Sequence, residues 1–353
     1  MKKLLLAAAV ATLSVNAVQA APTLYGKLNV TIDQVDNKNF DGKSDVTEVN
    51  SNASRIGVKG EEKLTDNLSA VYLAEWQINA DGDGTDLGQR NRYIGIKSNN
   101  VGTLKVGKFD SYFKNAAGNY QDIYNDHTIL DITNTMYGEE RLNNVIGFES
   151  DPKLLAGVTF NVMFQQGETP ADPTPGTSGN DDKRNGFGDS VSGSIGYENK
   201  DIGLALAAAA NYSVQGKYNA YGLSNIFSDA YRVTGSYDFS KLGATGLVLG
   251  GLWQHAEPTD ELTKYKGLQE DAWVGAVTYR IGETPFVVKG QYQSSKASVD
   301  GQQDRKIDQY GVGLDYKINK QARFYGIVAQ QKRDWFAQDD KRTVVGAGME
   351  YNF

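Results

Sequence analysis

The chain has 353 residues, a net charge of −7 at pH 7 and no cysteine. The missing cysteines exclude disulfide-stapled folds, catalytic thiols and cysteine-ligated metals. The acidic balance argues against nucleic acid as a partner, because phosphate contacts need clustered Lys and Arg.

The N-terminus has the features of a secretory signal. Two lysines follow the first methionine, an apolar stretch covers Leu4–Leu13, and Val18–Ala20 precedes the expected cut. The apolar stretch is too short to anchor the chain in a bilayer as a helix. We predict a signal peptide over residues 1–20 and one mature domain over residues 21–353. Without the two lysines, 34 basic residues stand against 43 acidic ones, a net charge of −9.

Beyond the signal, no apolar run is long enough for a spanning helix. The longest, Leu204–Ala210, has seven residues, whereas a spanning helix needs about 18. Three classes therefore remain: a soluble periplasmic protein, a secreted protein, or a transmembrane β-barrel, whose strands are only half apolar.

Segments with a two-residue alternation of apolar and polar side chains follow one another along the chain. We predict about sixteen strands of roughly ten residues each, an even number as in single-chain outer-membrane barrels. They cover Leu24–Asp33, Arg55–Gly60, Leu68–Ile78, Arg90–Lys97, Leu104–Phe109, Asn144–Ser150, Val158–Phe164, Val191–Tyr197, Ile202–Tyr212, Tyr231–Phe239, Leu247–Trp253, Trp273–Ile281, Phe286–Gln293, Tyr310–Ile318, Phe324–Gln331 and Thr343–Phe353. Short turns such as Asp66–Asn67 alternate with longer polar loops such as Asn37–Asn52 and Asn79–Leu87, as at the two rims of a barrel.

The two faces of these segments differ in a way that favours a membrane barrel over a soluble sandwich. The apolar face carries aromatic residues near strand ends, as expected for interfacial girdles: Tyr237, Phe239, Tyr279, Tyr292, Tyr316 and Tyr351. The opposite face carries Lys, Arg, Asp and Gln, which suits a water-filled lumen. The predicted fold is all-β: one transmembrane antiparallel β-barrel of about 16 strands.

One long stretch, Phe109–Arg141, has no strand period. Connections of this length are usually functional or disordered, and its aromatics Phe109, Tyr112, Phe113, Tyr120 and Tyr124, with Ile123, Ile129, Leu130 and Ile132, argue against disorder. We predict that this stretch folds into the lumen and narrows it as a constriction loop.

Four fragments, in order and spacing, resemble the Gram-negative trimeric general porins. They are Leu24–Lys27, Ser54–Glu61, Asn91–Lys97 together with Val101–Lys108, and Met349–Phe353. The usual Pro-Glu-Phe-Gly-Gly motif of the family's constriction loop is absent, and Ala116–Asn119 stands nearest to it.

The resemblance implies a sixteen-stranded homotrimer in the outer membrane of a Gram-negative bacterium. It implies contact with outer-membrane lipid, and recognition of the C-terminal Phe353 by the barrel-assembly machinery. It also implies basic residues on the wall facing acidic residues on the loop. The basic wall would be Lys27, Arg55, Arg92 and Arg141. The acidic partners would come from Asp122, Asp126, Asp131 and Glu139.

Opposed charges across a narrow aqueous gap create a transverse field that low-dielectric walls strengthen. The predicted function is passive diffusion of small hydrophilic solutes and ions, without a cofactor or a metal. One alternative is a channel selective for a sugar or an organic acid. A barrel hydrolase is disfavoured, because His127 and His255 are the only histidines and no Gly-x-Ser-x-Gly occurs. A surface adhesin using Gly167–Gly188 is a further alternative.

Overall fold

A computed structural model describes residues 21–84, 87–125, 127, 129–168, 186–336 and 340–353. The predicted signal peptide, residues 1–20, and most of the predicted flexible loop Gly167–Gly188 lie outside this range. In the described part of the chain, no helix has the length and apolar character needed to cross a membrane.

The described residues form seventeen strands in one antiparallel sheet. The strands are β1 (Thr23–Lys38), β2 (Val46–Ser51), β3 (Arg55–Lys63), β4 (Leu68–Gln77), β5 (Gly88–Ser98), β6 (Gly102–Asp110), β7 (Arg141–Ser150), β8 (Val158–Gln165), β9 (Ser190–Asn199), β10 (Leu204–Tyr218), β11 (Leu223–Asp238), β12 (Leu247–Pro258), β13 (Gln269–Arg280), β14 (Phe286–Ser298), β15 (Arg305–Lys317), β16 (Ala322–Arg333) and β17 (Asp340–Asn352). One four-residue α-helix covers Tyr112–Asn115, and short 3₁₀ turns cover Phe40–Gly42, Ile132–Asn134, Asn219–Tyr221 and Phe239–Leu242.

The sheet closes because β1 pairs with β17 on one side and with β2 and β3 on the other. β2 and β3 lie end to end along β1, so they act as one spanning strand and the barrel has sixteen, as predicted. The expected loop Asn37–Asn52 was partly wrong, since it contains β2. The break between β2 and β3 falls at Asn52, whose buried amide donates to the Thr31 hydroxyl (2.8 Å).

The two faces of each strand have opposite exposure to their surroundings. On β1, Leu24 and Ile32 are 60% and 61% exposed, whereas Asn29 and Asp33 are 3% and 0% exposed. A soluble protein would bury the first pair and expose the second. The apolar residues therefore face lipid and the polar ones face the interior, as expected for an outer-membrane barrel.

Aromatic side chains form girdles on the outer face of β7 to β17. Ring contacts between neighbouring strands join Trp273 to Tyr292 (4.7 Å between centroids) and Phe286 to Tyr316 (5.2 Å). Over β1 to β6 the outward aromatics of the described residues are limited to Tyr72 and Trp76, and the other large apolar side chains on this outer face are aliphatic. The girdle is thus interrupted over one sector of the wall.

Candidate functional site

The described residues of the connection between β6 and β7, namely 111–125, 127 and 129–140, lie inside the barrel, which confirms the prediction of an inward loop. Ser111 starts the short helix by accepting a hydrogen bond from the Lys114 amide (3.0 Å). The loop then crosses the lumen and bonds to the wall from β9 to β15. These bonds are Phe113 N to Ser192 Oγ (3.1 Å), Gln121 Nε2 to Gly235 O (2.7 Å), Ile123 N to Gln291 Oε1 (2.9 Å), Gln309 Nε2 to Leu130 O (2.7 Å) and Tyr137 N to Glu270 Oε1 (2.7 Å).

Two glycines on the wall leave the space that the loop occupies. A Cβ on Gly216 would lie 2.0 Å from the Tyr137 ring, and a Cβ on Gly250 would lie 1.8 Å from the Tyr120 carbonyl oxygen. Any side chain at these positions would overlap the loop. Buried apolar residues such as Phe113 and Tyr218 fill the rest of the space between the loop and this wall.

A cavity of about 1310 Å³ remains on the other side of the loop and extends towards the short-turn rim. The loop contributes amides, small groups and three charged side chains to its lining, namely Lys114, Asn115, Ala117, Gly118, Asn119, Tyr120, Asp122, Ile123, Asn125 and Glu139. Nine basic and eight acidic side chains border the whole cavity. Its charge is therefore close to balanced, in contrast to the acidic chain as a whole.

Two groups of charged side chains line the cavity opposite the loop amides. We call the space between these two groups and the loop the gap. In the first, the Glu75 carboxylate on β4 lies between two arginines, 2.5 Å from Arg90 Nε and 3.7 Å from Arg55 Nε. In the second, Asp110 Oδ1 lies 3.1 Å from an Arg141 guanidinium nitrogen and 3.3 Å from Lys114 Nζ. Four cations thus share two carboxylates on this side of the gap.

The second group is held in place by Asn91. Its side-chain amide donates to Asp110 Oδ2 (2.9 Å), and its oxygen accepts a hydrogen bond from Arg141 Nε. Burial by itself would lower the pKa of the Lys114 ammonium, but Asp110 and Glu139 outweigh this effect and the pKa is raised. Lys114 is therefore a persistent cation at neutral pH.

The structure brings together three of the four basic residues predicted for the wall. Arg55 and Arg141 border the cavity, and Lys27 is buried on the interior face, directly paired with Arg55 across β1 and β3. Whether these residues select solutes stays a prediction at this point.

The placement of Arg92 was wrong. Its guanidinium lies over the Trp76 ring (5.1 Å) on the outer face, beside Lys108 in the register of β5 and β6. Arg92 has the same parity as Ile94 and Ile96, which are 66% and 51% exposed, so simple alternation places it outside. A β-bulge follows it: Ala74 and Trp76 are two residues apart on β4, but their partners Arg92 and Gln89 are three apart on β5. The extra residue reverses the alternation and turns Arg90, which the sequence analysis missed, towards Glu75.

The structure supports the predicted acidic side of the gap only in part. Asp122 borders the cavity, but Asp131 caps a 3₁₀ turn by accepting from the Thr133 amide (2.8 Å). Glu139 also borders the cavity, although its side chain is only 2% exposed and its Oε1 lies 2.6 Å from Arg232, and Asp126 lies outside the described residues. Two wall carboxylates, Glu75 and Asp110, stand beside them in the lining. The inward parity of Glu75 in the third spanning segment was the signal that could have found it.

Burial also raises the pKa of the Glu139 carboxyl above its usual value, although Arg232 and Lys114 oppose the shift. The two histidines lie apart: His127 Nε2 is 3.8 Å from Asp33 on the interior wall, and His255 Nδ1 is 3.0 Å from Asp271. Neither belongs to the charged gap. The gap can therefore orient and attract charged solutes, which needs no covalent step.

The sequence model of the Gram-negative porin family matches residues 5–334. The major outer membrane protein P.IB of Neisseria lactamica is 26% identical over 91% of this chain and 90% of its own length. An outer membrane porin protein of Bordetella pertussis is 25% identical over the full length of both chains.

Solved structures with the same fold include an anion-selective porin from Comamonas acidovorans, with a TM-score of 0.69 and 18% identity over 94% of this chain and 99% of that one. They also include the trimer form of in vitro folded OmpT of Vibrio cholerae, with a TM-score of 0.63 and 16% identity over 94% and 99%.

Proposed function

The chain belongs to the Gram-negative porins, and from this membership we propose that the charged gap is a constriction that passes small anions in preference to cations. The protein is a channel of the outer membrane, water-filled, for passive diffusion of small hydrophilic solutes and ions. Its family and fold are those of a channel rather than an enzyme, and we propose that it has no catalytic activity.

The excess of positive charge at the gap is the observation that carries the anion preference. Arg55, Arg90, Arg141 and Lys114 face two wall carboxylates, whereas the whole cavity is nearly balanced. The surplus is therefore concentrated on the part of the cavity wall that faces the loop, and low-dielectric walls strengthen its field there. Anion selectivity is stated for the Comamonas porin, and extending it to this chain is our proposal.

The opposite side of the gap complements this wall. Asn115, Asn119 and Asn125 present amides that can hydrogen-bond a hydrated anion or a hydroxyl group without adding charge. An apolar solute would have to displace the water ordered by these groups. The arrangement thus favours carboxylates, phosphates and halides over neutral apolar molecules.

Reversal potentials in planar bilayers under a salt gradient test the proposal. We expect Arg55→Ala, Arg90→Ala and Arg141→Ala each to shift the reversal potential towards cation permeability. Arg92→Ala is the matched control, because its guanidinium lies on the outer face and should leave the potential unchanged. Wild-type potentials in the first three variants would remove the assignment of this wall.

A channel selective for an organic acid is the remaining alternative, and saturable block of the current by that acid would favour it. A sugar path along aromatic residues has less support. Of the loop aromatics, Tyr112, Phe113 and Tyr137 are buried against the wall, and Tyr120 is the one that is widely exposed.

We further propose that the chain forms a homotrimer through the sector β1 to β6. Lipid-facing barrels carry aromatic girdles, so the interrupted girdle marks a face covered by protein. A trimer is recorded for OmpT. Native mass spectrometry of Ile94→Trp should show loss of trimer, while Val312→Trp, at a similarly exposed position among the girdles, should not. Trimers that persist in Ile94→Trp would place the interface elsewhere.

Two further proposals concern assembly. Residues 1–20 would be removed on export, and Phe353 would be read by the assembly machinery. The terminal residue also closes the barrel seam, since its amide and carbonyl each bond to Gly26 (3.0 Å). N-terminal sequencing of the mature protein tests the first proposal.

A further inference from the structure

One arginine lies wholly buried between the barrel wall and the loop. Arg232 stands on β11, its side chain is 0% exposed, and its guanidinium lies 4.2 Å from the centroid of the Phe113 ring. It does not border the cavity, so it cannot act on solutes directly. We therefore infer the role of Arg232 from the groups to which its side chain is bonded.

The Arg232 side chain bonds to both stems of the loop at once. On the first stem, Nη1 donates to the Phe113 carbonyl oxygen (3.0 Å). On the second, Nη2 donates to Glu139 Oε1 (2.6 Å) and lies 3.5 Å from the Tyr137 carbonyl oxygen. Nε donates to Gln254 Oε1 on β12 (3.0 Å). A single rigid group therefore joins two stems and two strands.

Apart from Glu139 on the second stem, the loop residues that border the cavity run from Lys114 to Asn125 and lie between these stems. Fixing both ends of a loop restricts the positions of the residues between them. We propose that Arg232 is the positioning residue of the constriction: by clamping both stems to the wall it sets how far the loop projects into the pore. This inference rests on the proposed constriction.

The chemistry of arginine suits this task. A planar guanidinium has five donors in a fixed fork, and here they reach acceptors in three directions. A lysine could keep the ion pair with Glu139 but could not also reach Phe113 and Gln254. A buried ion pair by itself is weak evidence for stability, because desolvation offsets much of the attraction. The geometric role therefore accounts better for a charged group at this place.

The test separates positioning from folding. Arg232→Met would leave the Glu139 carboxylate buried without its partner, so the double variant Arg232→Met/Glu139→Gln removes both charges and still lacks the two stem bonds. Arg232→Lys keeps the charge without the fork. Arg333→Lys is the matched control, because Arg333 pairs with Asp340 and Asp41 where β16 ends and β17 begins, away from the loop.

Thr135 provides a reporter of loop displacement. It lies on the side of the loop that packs against the wall, it is 0% exposed, and the native chain has no cysteine. Introduced as Thr135→Cys, its labelling by a water-soluble thiol reagent measures how often the loop leaves the wall. We expect labelling about tenfold faster in the double variant, equivalent to about 1.4 kcal/mol, with fluctuating single-channel conductance. Arg232→Lys should lie between, and Arg333→Lys should match the parent.

Labelling and conductance at parent levels in a folded double variant or in Arg232→Lys would overturn the inference. The readout does not depend on ion selectivity. If the wild-type channel shows no anion preference but labelling is faster in the double variant, the role of Arg232 is supported and the proposed selectivity is refuted. If the anion preference is found but labelling is unchanged, only the role of Arg232 is refuted.

Discussion

Gly250→Ala is the most direct perturbation of the contact between the barrel wall and the loop. Gly250 lies on the interior face of β12, and the added Cβ would stand 1.8 Å from the Tyr120 carbonyl oxygen. Ordinary contact begins at 3.4 Å, so one partner must retreat by about 1.6 Å. β12 is bonded to β11 and β13 along its length. The loop therefore moves, and Tyr120 borders the cavity into which it moves.

The expected result is a folded barrel with a narrower pore. Overpacking of this kind costs about 1–3 kcal/mol, which a sheet closed on all sides can absorb. A displacement of about 1.6 Å exceeds the radius of a water molecule, about 1.4 Å. Because conduction depends on pore diameter, we expect single-channel conductance to fall by on the order of a third.

Gly251→Ala is the control, made one residue further along the same strand. Its Cβ would face outward, with its nearest neighbour, the Val274 carbonyl oxygen, at 3.8 Å. Planar-bilayer recordings should give wild-type conductance for Gly251→Ala and reduced conductance for Gly250→Ala. Equal conductance in the two variants would mean that the loop does not rest on Gly250, and the reasoning about the wall glycines would be refuted.

Three further predictions follow from the charged contacts and the seam. Burial raises the pKa of the Glu139 carboxyl. The contribution of the protonated carboxyl to the stability of the folded protein is therefore complete at low pH and is lost as the pH rises through that raised pKa. Wild-type conductance should therefore show a protonation step above the usual glutamate range, and Glu139→Gln should lack it; a step that persists would assign it to another group. Arg323→Met removes the partner shared by Asp315 (2.7 Å) and Glu350 (2.9 Å), and should lower barrel stability by about 1–3 kcal/mol, seen as a lower temperature for the loss of the folded band on gels; an unchanged temperature would show that Lys289 suffices for Asp315. Deletion of Phe353 removes both seam bonds to Gly26, so the yield of folded barrel should fall, whereas Phe353→Tyr should retain it; a normal yield after deletion would exclude a role for the seam bonds in assembly.

The strands and their faces were predictable because alternation is a local property. Each lipid-facing residue must be apolar wherever it lies in the sheet, so Leu24, Ile32, Tyr279 and Tyr316 could be assigned outward from the sequence alone. The inward course of residues 111–140 was predictable for a similar reason, since a long aromatic segment without a strand period must pack against something.

The individual residues of the gap were less predictable. Arg55 was placed correctly because β3 has an unbroken alternation. Arg92 was assigned inward although its parity with Ile94 and Ile96 places it outside. Arg90 was missed because one extra residue in β5 reverses the face beyond Arg92, and no local pattern marks that bulge. Glu139 does border the cavity, but its bond to Arg232, a partner 93 residues further along the chain, could not be predicted from the sequence.

The sequence by itself determined that this chain is an outer-membrane barrel with a loop in its lumen, because strand alternation and aromatic girdles are properties of short stretches of sequence. Only the tertiary structure decided which charges meet at the gap. Those contacts join residues far apart in sequence, and their pairing depends on the bulge in β5, the wall glycines beneath the loop and the clamp at Arg232.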